Sequence, residues 1–225
     1  MMKSFRVIIP LMLLLPLFFL SCQKSELPPN LVRIGSQIWM RKNLDTAVFL
    51  NGDSIAFCKN YDEWRQLADR KEPAYTIYGQ DTANQEKYGL LYNWYAVSDP
   101  RGLAPEGFRI PAEADLSLLL EQCGGKRFRS GRALRSLLSS GHSGFSALYG
   151  GWAGMTPDPE MGTDFYMDLG ANAAFWSASE NDAETAWNLD LGRTVRSDTE
   201  GAYLDGSSPK SRMFSLRCIY TEPKP

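Results

Sequence analysis

At 225 residues, 44% of them hydrophobic, the chain can bury one substantial core and reads as one domain rather than two. A formal net charge of -2 supplies no electrostatic attraction for nucleic acid, and that partner class is set aside. With 19 glycines, 13 prolines and 12% aromatic residues, the composition excludes a helical bundle and favours short strands joined by turns.

The chain opens on a targeting segment. Lys3 and Arg6 precede an apolar run from Val7 to Leu20. That run falls short of the ~20 residues of a spanning helix and is broken by Pro10 and Pro16, as in a signal peptide. Its end, Phe19-Leu20-Ser21-Cys22, resembles a bacterial lipobox, in which the cysteine is lipidated and becomes the first residue of the mature chain. An ordinary cleaved signal followed by a chance cysteine is the alternative. The predicted organisation is a lipoprotein signal peptide over 1–21, a tether over 22–30 stiffened by Pro28-Pro29, and a folded domain over 31–221. Lys24 and Glu26 faintly resemble an outer-surface sorting signal, so the expected address is the bacterial outer membrane, on its surface or periplasmic face.

Within the domain, "LVRIGSQIWM" reads as two short strands around Gly35-Ser36. "DEWRQLADR" carries Trp64, Leu67 and Ala68 at helical spacing behind Asp62 as cap. "YGLLYNWYAV" predicts a buried helix. "AEADLSLLLEQCGG" is the clearest helix, with Leu116, Leu119, Leu120 and Cys123 on one stripe and Gly124 as its stop. "GRALRSLL" adds a short helical turn. From residue 144 onward the pattern turns to strands and loops. In "TAWNLDL", Trp187, Leu189 and Leu191 alternate with Ala186, Asn188 and Asp190, and "MFSLRCIY" alternates likewise. Both predict half-buried antiparallel strands, and helices early with strands late imply an α+β domain.

An exported address leaves Cys58, Cys123 and Cys218 as an odd set in an oxidising compartment. Either one disulfide forms with a thiol over, or all three are buried thiols acting as small hydrophobes. Their spacing matches no zinc pattern. The single histidine, His142, sits in the loop-like "SSGHSGF" and reads as surface rather than as a catalytic base.

Eight motifs then occur in the order of one family: "IGSQIWMRKNL", "EW", "PAYTIYG", "YGLLYNWYAV", "GLAPEGFRIP", "GFSALYGGW", "FWSASE" and "SLRCI". Together they resemble the FISUMP domain, the "major paralogous domain" of secreted and surface proteins in gut-type bacteria. The resemblance implies a C-type-lectin-like fold, with two helices packed on twisted antiparallel sheets and neighbouring termini. It implies no activity, since FISUMP domains have none generally assigned. Phe108 and Arg109 stand where the family usually has Trp-His, and Tyr149 where it has proline. Ala112 occupies a helix start usually held by Thr or Ser, which removes a cap worth ~1 kcal/mol. Thr76 replaces a common cysteine, so the resemblance supplies Cys218 with no partner there.

The candidate ligand surface lies in "FWSASENDAETAWNLDLG". Trp176 and Trp187 read as core anchors on facing strands. Ser177, Ser179, Glu180, Asn181, Asp182, Asn188, Asp190, Arg193 and Arg196 read as the exposed patch between and beside them. A calcium version takes Asp158 and Glu160 of "TPDPE" with Asn188 and Asp190 of "AWNLD", because a hard cation needs several oxygens and can also hold sugar hydroxyls. The basic run through Lys126, Arg127, Arg129, Arg132 and Arg135 reads as a solvated face. The functional expectation is a lipid-anchored surface protein that binds, or displays to, an extracellular protein or glycan, without catalysis or cofactor. A structural or adhesive subunit of a surface assembly, or an enzyme of the formylglycine-generating type, are the alternatives.

Overall fold

The computed structural model describes residues 27–125, 129–160, 164–194 and 197–221. The signal peptide, Cys22, most of the tether, Lys126, Arg127 and Arg196 lie outside the described residues.

The first strands, β1 (Leu31–Ile34) and β2 (Gln37–Met40), form the expected hairpin, with Ile34 opposite Gln37. Gly35 turns it at φ +58, and a Cβ there would meet the Gln122 side chain at 2.7 Å. The positive φ favours glycine there, whereas the Gln122 side chain, being exposed and flexible, could move aside. Strand β3 (Ala56–Phe57) leads into α1 (Tyr61–Asp69) and β4 (Ala74–Thr76). The cap of α1 is Asn60, whose side chain accepts from the Glu63 amide at 3.0 Å, and not Asp62, which sits inside the first turn.

After α2 (Thr82–Tyr88) the apolar run through Val97 is not one helix. It is β5 (Leu91–Asn93) followed by the single turn α3 (Trp94–Val97). Asn93 decides this: its Oδ1 accepts from the Ala96 amide at 3.0 Å to start α3, and from the Ala74 amide at 2.9 Å. Apolar residues on every side suit a strand buried on both faces as well as they suit a helix, so periodicity could not separate them.

Strand β6 (Phe108–Arg109) precedes α4 (Glu113–Gln122), which buries Leu116, Leu119 and Leu120 as expected, and α5 (Gly131–Leu137) follows. Ala112 offers α4 no capping side chain. Ser179 supplies the cap from across the fold, its Oγ accepting from the Glu113 amide at 2.9 Å. Asp115 accepts from the Ala112 amide at 2.8 Å and pairs with both Nη atoms of Arg109 at 2.5 and 2.7 Å. The cap missing from the local sequence is thus rebuilt by tertiary contacts.

The remaining strands are β7 (Gly150–Ala153), β8 (Tyr166–Leu169), β9 (Asn172–Glu180), β10 (Thr185–Thr194), β11 (Ser197–Pro209), β12 (Met213–Phe214) and β13 (Ile219–Tyr220). Among the described residues they make two sheets. The smaller has the order β1-β2-β13-β6, which brings both ends of the domain together. The larger has the order β11-β10-β9-β7-β12-β5-β4-β3, with β8 beside β7. The fold is α+β, as the pattern predicts. The smaller sheet is purely antiparallel, whereas the larger is mixed, since β3 runs parallel to β4 and β7 to β9. Among the described residues no helix is long and apolar enough to cross a membrane.

Two cores explain why the late strands are not half-buried. Leu116, Leu119 and Leu120 of α4 and Leu134 and Leu137 of α5 pack on Phe175, Leu189, Leu191 and Ala202. Ala174, Trp176 and Ala186, on the other face of the same strands, pack with Tyr92, Phe214, Leu216 and Cys218. Strands β9 and β10 are thereby covered on both faces over most of their length. The alternation in "MFSLRCIY" is corrected in the same way: every residue from Met213 to Ile219 is buried, Ser215 and Arg217 included.

Candidate functional site

Strand β10 lies between β9 and β11, and its register fixes what meets what. Asn188 stands opposite Trp176 and Asp205, and Asp190 opposite Ala174 and Tyr203. A bulge between Ala186 and Asn188 swings Trp187 out of step. Ser177 clamps that bulge: its Oγ donates to the Trp187 carbonyl at 2.8 Å and accepts from the Ser179 amide at 3.1 Å.

The two tryptophans consequently part company. Trp176 is fully buried, donates from Nε1 to the Tyr92 carbonyl at 2.8 Å, and lies 4.4 Å from the Phe214 ring. Trp187 is only partly buried, packed against the first core with its ring over Gly206. The expectation of two core anchors holds for Trp176 and is corrected for Trp187.

The polar residues between them divide three ways. Ser177, Asn188 and Asp190 are buried, not part of an exposed patch. Ser179 is half-buried and caps α4. Glu180, Asn181, Asp182 and Arg193 are exposed, and Arg196 lies outside the described residues. The exposed turn is tied down by its own bonds. Asp182 accepts from the Glu184 and Thr185 amides at 2.9 and 2.7 Å, contacts that hold its carboxyl below the usual range. Glu180 pairs with the buried Lys210, which also donates to the Ala183 carbonyl at 2.8 Å.

Asp190 is the centre of a buried polar cluster. Its carboxylate accepts from Asn188 Nδ2 at 2.8 Å and from Asn172 Nδ2 at 3.3 Å. Burial pushes the carboxyl up to about 6, and the charge of Asp205 adds to this; the two amides and Arg212 oppose it. Burial and then the charge of Asp190 raise the Tyr203 phenol above its usual range. The outward amide oxygens of Asn172 and Asn188 have no protein donor among the described residues. Asn172, Tyr203 and Arg212 were not singled out from the sequence. For Asn172 the signal was present: it shares its strand parity with Ala174 and Trp176, opposite the side of Phe175.

A cleft of about 380 Å³ is lined by Trp64, Met155, Thr156, Asp158, Ser211 and Arg212 among others. The Trp64 indole is fixed by its Nε1 donating to the Ser211 carbonyl at 2.7 Å. Arg212 stacks 5.0 Å from the Trp152 ring and belongs to both regions, lining the cleft and lowering the charge cost of Asp190. Gly154, at φ +93, lets the loop approach; a Cβ there would lie 2.9 Å from Trp64 Nε1.

The calcium set is not assembled. Asp158 and Glu160 share a tight turn, the Glu160 amide donating to Asp158 Oδ1 at 3.0 Å, while both oxygens of Asp190 are taken by amides. Among the described residues no three His, Cys, Asp or Glu side chains gather as a metal-holding group. Cys58, Cys123 and Cys218 are free and buried, and burial pushes the Cys58 and Cys218 thiols up to about 12. His142 is exposed, with Nε2 3.4 Å from Ser136 Oγ. Of the basic run, Arg129, Arg132 and Arg135 are exposed, and Arg129 lies over the Tyr203 ring at 4.4 Å.

The sequence model of one family, described as the Fibrobacter succinogenes major domain, matches residues 32–220. No curated protein and no solved structure matches the chain.

Proposed function

The chain belongs to the Fibrobacter succinogenes major domain family, and on that footing we propose a lipid-anchored bacterial surface protein whose domain binds an extracellular glycan or protein without catalysis. The observation that carries this reading is the open cleft at Trp64, Asp158 and Arg212. A fixed indole beside a guanidinium and a carboxylate offers an apolar face and polar groups of both signs, the mixture on which sugar rings and peptide side chains dock. Trp64 is held by the Ser211 carbonyl and Arg212 by the Trp152 ring, so a ligand there would sit on a preformed surface. The small sheet that joins both ends of the domain supports a lectin-like reading of the fold. Buried thiols with raised pKa suit packing rather than redox or nucleophilic work.

The address rests on Cys22 and the apolar run before it. Cys22→Ser should release the protein from the membrane fraction or leave the precursor uncleaved; unchanged partition and processing would sink the lipoprotein reading. Ligand binding is tested by a glycan and protein array with the protein purified in detergent, run with and without calcium. Hits weakened by Asp158→Ala, at an unchanged melting curve, support the cleft. Hits indifferent to that substitution place the binding surface elsewhere.

A further inference from the structure

Arg217 lies between β12 and β13 and is 3% exposed. Its guanidinium stacks 4.2 Å from the Phe145 ring and 5.3 Å from Phe175. Nη1 donates to the Phe145 carbonyl, and Nε and Nη2 donate to Asn43 Oδ1 at 3.1 and 2.5 Å. Those acceptors are neutral, and among the described residues no carboxylate bonds this cation. A guanidinium carries five N–H donors, so these three bonds leave one N–H on each Nη without an acceptor among the described residues. Burial lowers its pKa to about 9, which leaves it charged at neutral pH. The fold treats its other deeply buried cation differently: Lys210 has Glu180 as counter-charge. Burying a cation with no counter-charge is unfavourable, and among the described residues Arg217 is held by rings and neutral acceptors without a paired carboxylate.

Arg217 also lines a cavity of about 190 Å³, together with Asn43, whose Oδ1 its guanidinium holds. Around it stand the exposed Arg41, Lys42 and Lys87, so four cationic residues face only two anionic ones, Asp45 and Glu86. Asp45 is already engaged, accepting from Gln85 Nε2 at 2.9 Å. Lys42 has no hydrogen bond or ion pair among the described residues.

We propose that this cavity binds one small oxyanion, the sulfate, phosphate or carboxylate of a free ion or of an acidic sugar, with Arg217 at its floor and Lys42 and Lys87 at its mouth. The planar fork of an arginine matches two oxygens of such a group, and Lys42 and Lys87 add positive charge around it, the Lys87 ammonium lying 4.9 Å from the Tyr88 ring. The site shares no residue with the Trp64 cleft and stands independently of it.

The test follows melting of the full chain, purified in detergent, against sodium sulfate, phosphate and glucuronate, each compared with sodium chloride at matched ionic strength. A saturable rise in Tm beyond chloride is expected for at least one of them. Inorganic ions alone acting would identify a sulfate or phosphate group as the ligand, and glucuronate acting best would identify the carboxylate of an acidic sugar. Replacing both mouth lysines (Lys42→Gln with Lys87→Gln) disturbs no buried group. It should lower melting in chloride only slightly, through the lost Lys87–Tyr88 contact at the end of α2, while weakening the anion at least about tenfold, the loss of one charge-assisted hydrogen bond. Arg217→Met keeps the ring contacts; where it folds it should abolish the saturable effect, and where it does not fold the lysine pair decides. No anion exceeding chloride, an unchanged affinity in the lysine pair, or a folded Arg217→Met that still binds would each overturn the site.

Discussion

Asp190→Asn offers the sharpest test of the buried cluster. In the unfolded chain an aspartate titrates near 3.8, whereas burial among Asn172, Asn188 and Ala174 raises the folded value to about 6. A raised carboxyl favours the folded state only while it is protonated. Its contribution is therefore fully present below pH 3.8 and is lost as pH rises through 6. The two-unit gap corresponds to about 3 kcal/mol of stability surrendered across that window. Asparagine cannot ionise, so the variant escapes this loss. It also fits the site: one neighbouring amide can turn its partnerless oxygen, Asn172 Oδ1 or Asn188 Oδ1, toward the new Nδ2 hydrogens. Urea denaturation of both proteins from pH 3.5 to 7.5 should show the variant gaining on the parent by about 3 kcal/mol, most of it between pH 4 and 6.5. A stability difference that is flat with pH, or that shrinks as pH rises, would refute the buried carboxylate.

Ser179→Ala should cost about 1 kcal/mol in the same assay, because it strips the borrowed cap from α4; no loss would mean the Glu113 amide finds water equally well. Trp176→Ala should destabilise by ~3–5 kcal/mol, as emptying a fully buried aromatic site does, and Trp187→Ala by clearly less; the reverse order would mean the bulge in β10 is misplaced. Cys58, Cys123 and Cys218 should react with a thiol reagent only on unfolding, and reductant should leave Tm in place. A loss near the ~2–5 kcal/mol typical of removing a native bridge would establish a disulfide instead.

Much of this protein was legible locally. The β1–β2 hairpin, the stripe of α4 and the alternation in β10 are written in neighbouring residues, since turn chemistry and side-chain period act over a few positions. The ordered motifs place the chain in its family from sequence alone. What the sequence could not carry is which faces end up covered. Asn188 and Asp190 alternate with leucines just as surface residues would, yet the second core, gathered from Tyr92, Phe214, Leu216 and Cys218, closes over their side of the strands. Ala112 looks like a lost cap until Ser179, 66 residues beyond Glu113, arrives to bond the Glu113 amide. The Trp64 cleft likewise joins residues from α1, the loop after β7 and the turn before β12. Period is a property of the backbone and is set by adjacent residues; burial is a property of whatever packs on top, and here that comes from distant parts of the chain.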